Sequence, residues 1–273
     1  MTGSDLAGFG RNAGITAGVA LAILSLVWVI GARIDKHRIV DVVWGPGFAV
    51  IGAVSLALSA GGGDLGRRLL VTAMVIVWGL RLGVHIGLRG RGHGEDPRYE
   101  ALLDKATGSR AAYAYAHVYA PQAAIMWFVS LPVQAAMYER PALSFYAVLP
   151  IAVWLLGLGF EAGGDAQLTR FAADPANRGR VMDRGLWHYT RHPNYFGDAC
   201  VWWGIYLVGV THWLGAATVL SPVVMTWLLA RGTGKPLLEK RMASSRAGYA
   251  DYVDRTSGFV PLPPRRARRH AGQ

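Results

Sequence analysis

The stretch Gly185-Leu-Trp-His-Tyr-Thr-Arg-His-Pro-Asn-Tyr-Phe-Gly-Asp198 gathers two histidines, two tyrosines and an arginine between two apolar runs. Proline suits the first turn of a helix, because its missing N–H would be unpaired there anyway. A helix therefore starts at Pro193, with unpaired amides and a positive dipole end turned toward the preceding loop. Such an end is a natural cradle for an anion, and Arg191 and His192 add cationic donors to it. Asn194 can donate and accept, and Tyr195 offers a phenol. Trp187 also fits an aromatic belt at a membrane interface.

Further polar residues interrupt apolar sequence elsewhere. Glu161 and Asp165 close one apolar run four residues apart, hence on one helical face. Carboxylates there are costly unless paired or functional. They could pin Arg170, Arg178, Arg180 or Arg184, or accept hydrogen bonds from a ribose or a carboxamide. Arg81 and His85 share a face inside another run. Arg81 calls for an anionic partner, Asp41 or a phosphate, unless it snorkels to the interface. The loop Gly94-Glu-Asp-Pro-Arg-Tyr99 is placed to cap a site or simply to connect. His117 and His212 read as packing residues, and Cys200 as a small buried hydrophobe. No spacing of His, Cys, Asp or Glu predicts a metal site. No glycine-rich strand–turn–helix fingerprint is present, so a nucleotide would have to bind among helix ends.

The elements that hold these residues follow from composition. Of 273 residues, 52% are hydrophobic and only 16% charged, and the charges cluster between long uncharged runs. Runs such as 12–32 and 42–63 are long enough to cross a hydrocarbon core of ~30 Å. The expected fold is an all-α polytopic membrane protein of about seven transmembrane helices with a cytoplasmic cofactor site. The spans fall near 13–30, 41–60, 69–88, 111–138, 141–160, 195–210 and 213–229. Prolines 121 and 132 should kink the fourth span rather than forbid it. One transmembrane domain covers 1–264, and 265–273 form a basic disordered tail. The segments after odd-numbered spans hold 23 Lys and Arg, against 4 on the other side. That bias puts the N-terminus outside and the C-terminus in the cytoplasm. It also gathers Asp41, Trp44, Arg81, His85, Glu161, Asp165, Pro193–Tyr195, Lys235, Glu239 and Lys240 at one membrane face. The formal charge of +11 then speaks for anionic lipid or an anionic cofactor rather than nucleic acid.

The string 185–198 resembles the C-terminal signature of the bacterial DUF1295 branch of the steroid 5-alpha-reductase superfamily. Asp41-Val-Val-Trp-Gly45, Arg81-Leu-x-x-His85, Asp96-Pro-Arg-Tyr99, Pro236-Leu-Leu-Glu239 and Tyr249-x-x-Tyr252 are similar to that branch too. The likeness spans nearly the whole chain. Sterol reductases and isoprenylcysteine carboxyl methyltransferases share the Arg-His-Pro-x-Tyr element more distantly. The resemblance implies a seven-helix enzyme of a bacterial inner membrane that binds NADPH from the cytoplasm and takes a lipophilic substrate from the bilayer. No obligate protein partner is implied. Glu161-x-x-x-Asp165 stands where the steroid reductases carry Asn-x-x-x-Asp on the fifth span to hold the cofactor.

On this resemblance Arg81, Arg170, Arg191 and His192 are assigned to phosphates. Glu161, Asp165, Trp187, Tyr189, Asn194, Tyr195, Asp198, Glu239 and Tyr252 complete the cofactor site. The reaction implied is hydride transfer to one carbon of a lipid C=C, with Tyr195, His85 and Asp41 as candidate proton donors. The Gln-Glu pair that addresses a steroid ketone has no match, so steroid, fatty-acyl and polyprenoid substrates stay open. Two other readings stand beside it: an S-adenosylmethionine-dependent lipid methyltransferase and a non-enzymatic lipid-binding membrane protein.

Overall fold

The structure is a computed structural model that describes residues 2–232 and 234–265. Its named elements are all helices. The first are α1 (Gly3–Ile34), α2 (Ile39–Leu58), α3 (Leu65–Gly90), α4 (Pro97–Leu103), α5 (Arg110–Ala114), α6 (Ala120–Val129) and α7 (Leu131–Ala136). There follow α8 (Val148–Ala173), α9 (Leu186–Tyr189), α10 (Pro193–Gly209), α11 (Trp213–Ala217), α12 (Leu220–Ala230), α13 (Lys235–Ser245) and α14 (Tyr249–Arg255).

Among the described residues, five helical stretches are long and apolar enough to cross a membrane: Gly3–Ile34, Ile39–Leu58, Leu65–Gly90, Phe145–Ala173 and Trp213–Ser245. Their outward faces carry Leu26, Val84 and Leu155, each more than half exposed. In water such surfaces would be costly, but lipid solvates them. The two other predicted spans take different forms. Segment 111–138 is a broken run in which a π-helical turn, Tyr115–Tyr119, joins α5 to α6, and α7 follows a break at Ser130. Pro121 follows the π-helical turn of a run that stays helical from α5 to α6, and Pro132 lies in the first turn of α7, where the lost N–H costs little. The predicted 195–210 span is α10, 17 residues long.

The chain divides into two compact units, Met1–Val148 with Ile205–Ser221, and Leu149–Gly204 with Pro222–Gln273. In the first, a capping box of Thr2 and Asp5 starts α1. The first turn of α2 has no side-chain cap of its own. Glu95 supplies one from a distant loop, accepting from the backbone amides of His37 and Arg38, so an acid sits at the positive end of that helix. Phe48 and Trp78, both fully buried, meet edge to face in the core of the α2–α3 pair. The two helices cross at Gly45 and Gly79, where a Cβ on either would lie 2.3 Å from the other's carbonyl oxygen.

The second unit repeats that device. A Cβ on Gly157 of α8 would lie 2.5 Å from the Gly197 carbonyl oxygen of α10, and one on Gly197 would lie 2.4 Å from that of Gly157. Small residues thus bring the start of α10 hard against the polar end of α8, the packing that membrane helices favour. Trp154, Trp187, Trp202, Tyr249 and Tyr252 fill this unit's interior. From Arg266 on, the basic tail expected at 265–273 lies outside the described residues.

Candidate functional site

In the second unit the site is built on the end of α8. Glu161 and Asp165 are 2% and 5% exposed, on the one face that their spacing predicts. Asn194 Nδ2 donates to Asp165 Oδ1 at 3.2 Å. Trp187 Nε1 donates to the Gly164 carbonyl at 3.0 Å, and the Leu186 amide donates to Gln167 Oε1 at 2.9 Å. The short helix α9 is therefore docked along α8. Tyr252 closes this side by donating its phenol to the Trp187 carbonyl, and burial pushes that phenol's pKa up.

Helix α10 starts at Pro193, as expected, and its first backbone bond runs from the Phe196 amide to the His192 carbonyl at 3.0 Å. Asn194 Oδ1 accepts from the Tyr195 amide at 3.1 Å. Just ahead of it, Arg191 Nε and His192 Nε2 both donate to Glu239 Oε1, at 2.8 and 3.1 Å. The carboxylate accepts, so the neutral imidazole carries its hydrogen on Nε2. Burial holds His192 below the ordinary histidine value, with Glu239 pulling the other way. The His192 ring lies parallel to that of Tyr195, their centroids 5.3 Å apart. Arg191 also donates to the carbonyls of Val253 and Thr256.

Six arginines of this unit differ in their partners. Arg191 and Arg255 have acidic partners, Glu239 and Asp183. Arg170, Arg178, Arg180 and Arg184 are exposed and form no ion pair among the described residues. They are not spent on Glu161 and Asp165, one of the roles that the sequence allowed. Asp198 is buried on α10, and Tyr189 is half-exposed at the end of α9.

The first unit has a polar cluster of its own. Asp41, in the first turn of α2, accepts from the Tyr99 phenol at 2.6 Å and from Arg98 Nη2 at 2.9 Å. Arg98 is also paired with Asp96, the N-cap of α4. Burial first, and the Asp41 charge second, push the Tyr99 pKa up, so the phenol keeps its proton at neutral pH. Arg81 and His85 lie half-buried on α3, each with an interaction inside the protein. Tyr99 was legible only as part of a capping loop. Its chemistry lies in its contact with Asp41, 58 positions away.

A second buried cluster in this unit carries no signature in the sequence. Glu139 is fully buried. It accepts from Thr211 Oγ1, from His212 Nδ1 at 2.8 Å and from the Gly215 amide at 3.3 Å. Asp5 takes both Nε and Nη2 of Arg140. His212, expected to be a packing residue, is thus satisfied by a carboxylate, and His117 stacks on Tyr113.

These features define a class: an all-helical protein with helices fit to span a membrane and with buried acids in its polar clusters. The model of a family described as a protein of unknown function, DUF1295, matches residues 27–256, and the chain belongs to this family. No curated protein matches the chain, and no solved structure does.

Proposed function

We propose that this protein is an NADPH-dependent reductase of a bacterial inner membrane, transferring hydride to a C=C bond of a lipophilic substrate. Counting the α5–α7 run and α10 as spans gives seven, and the bias of basic residues then puts the N-terminus outside and the C-terminus in the cytoplasm. The observation that carries the reading is the buried pair Glu161 and Asp165 in a unit where Arg170, Arg178, Arg180 and Arg184 are exposed and form no ion pair among the described residues.

The chemistry of these donors and acceptors fits a phosphorylated dinucleotide. Carboxylates accept from ribose hydroxyls and from a carboxamide. Arginines at 170, 178, 180 and 184 offer bidentate donors to phosphates. When bound, the nicotinamide supplies the hydride. Asn194 orients Asp165, and the neutral His192 and Tyr195 stack without adding charge. Of the expected proton donors, Tyr195 lies in the same unit as Glu161 and Asp165, its ring parallel to that of His192, and would deliver the proton to the second alkene carbon.

The test is mass spectrometry of nucleotides that co-purify with the protein in detergent, followed by NADPH titration. Reproducible NADP(H) is the expected result. S-adenosylmethionine or its demethylated product in its place would overturn the reading in favour of methyl transfer.

A further inference from the structure

We propose that Arg191 and Glu239 are positioning residues. They lock the segment 253–262 onto the entrance of α10 and so set the tautomer and plane of His192. The proposal rests on the nucleotide reading of the second unit, and it gives Arg191 a different task from the phosphate contact that its place in the motif suggests.

The Nε and Nη1 donors of the guanidinium are already committed. Arg191 is 8% exposed. Its Nε hydrogen goes to Glu239, and Nη1 goes to the carbonyls of Val253 and Thr256. Its Nη2 faces Gly258, where a Cβ would sit 3.1 Å away. A cation closed in by one carboxylate and two carbonyls serves the protein's own backbone before any ligand.

What those bonds hold is the C-terminal segment. The Arg191 amide donates to the Ser257 carbonyl at 2.9 Å, beside an isolated parallel bridge between Thr190 and Ser257. Thr190 Oγ1 donates to the Phe259 carbonyl at 2.8 Å, and the Leu262 amide donates to the Tyr189 carbonyl at 3.0 Å. The segment thus runs beside residues 189–191, directly ahead of His192. Glu239 completes the device. One of its oxygens serves both Arg191 and His192, so the atom that neutralises the tie also fixes which imidazole nitrogen bears the hydrogen. A purely structural clamp would need the bond to Arg191 alone.

The experiment uses full-length protein in detergent and three readouts. These are NADPH affinity, the His192 tautomer by ¹⁵N chemical shift, and trypsin cleavage after Arg255. Glu239→Ala should weaken NADPH binding by about tenfold, the scale of one lost hydrogen bond to a charged group, and should change the tautomer. Glu239→Gln keeps an acceptor oxygen and should restore both. Arg191→Lys keeps the charge but loses the fork, and should expose Arg255 to trypsin. Glu239→Ala with unchanged affinity and tautomer, or Arg191→Lys with Arg255 still protected, overturns the proposal. A wild type that binds no NADPH sinks the reductase reading instead. The tautomer and the protection are read without nucleotide and still decide the positioning role.

Discussion

In the first unit, the fully buried Glu139 takes its three donors from residues 211–215, and Asp5 takes two nitrogens of Arg140. In the second, Glu161 and Asp165 are nearly as deeply buried, and Arg170, Arg178, Arg180 and Arg184 are exposed with no ion pair among the described residues. The first arrangement is a closed cluster whose donors all come from the protein itself. The second lies in a unit that carries exposed cations on and just after α8. Burying a charge is costly in either place, so burial alone does not tell the scaffold from the candidate site.

Glu139→Ala should break the comparison most visibly. It strips His212, Thr211 and the Gly215 amide of their acceptor, and the buried amide left unsatisfied costs about 1–3 kcal/mol. Thermal unfolding in detergent should show a large drop in Tm, and an unchanged Tm would deny the cluster its scaffold role. Asp165→Ala should behave in the opposite way. NADPH affinity should fall by the equivalent of about 1.5–3 kcal/mol, one hydrogen bond to a charged group, with a smaller change in Tm. Equal losses of stability in the two variants would erase the distinction drawn here.

Gly197→Ala tests whether the close approach of α8 and α10 supports the second unit. The added Cβ would lie 2.4 Å from the Gly157 carbonyl oxygen, and overpacking of that kind costs about 1–3 kcal/mol. Melting curves should show it, together with weaker NADPH binding. The smallest effect is the response of His192 to pH. Its pKa is held below 6.5 by burial, so its contribution to stability is complete above 6.5 and is lost as pH falls toward the lower folded-state value. Wild-type Tm should therefore drop more steeply below 6.5 than that of His192→Gln, and parallel curves would remove His192 as the cause.

Much of this was legible in the chain. Long uncharged runs announced membrane helices, because hydrocarbon admits no unpaired charge. Pro193 marked the start of α10, and the spacing of Glu161 and Asp165 put both on one face, because a helix brings residues four apart together. The broken fourth span was not legible. A proline inside an apolar run is equally consistent with a kink and with the first turn of a new helix, and only packing chooses between them. Glu139 left no sign either, since its acceptor role depends on Thr211, 72 positions away.

The stretch from Gly185 to Asp198 shows where the boundary falls. Residue types alone determined that it holds a helix start, an aromatic pair and cationic donors. The tertiary structure decided what they face. Arg191 meets the carbonyls of Val253 and Thr256, groups that every residue possesses and that no side-chain pattern advertises. A motif can name a donor, but the acceptor that claims it is chosen by the path of the backbone.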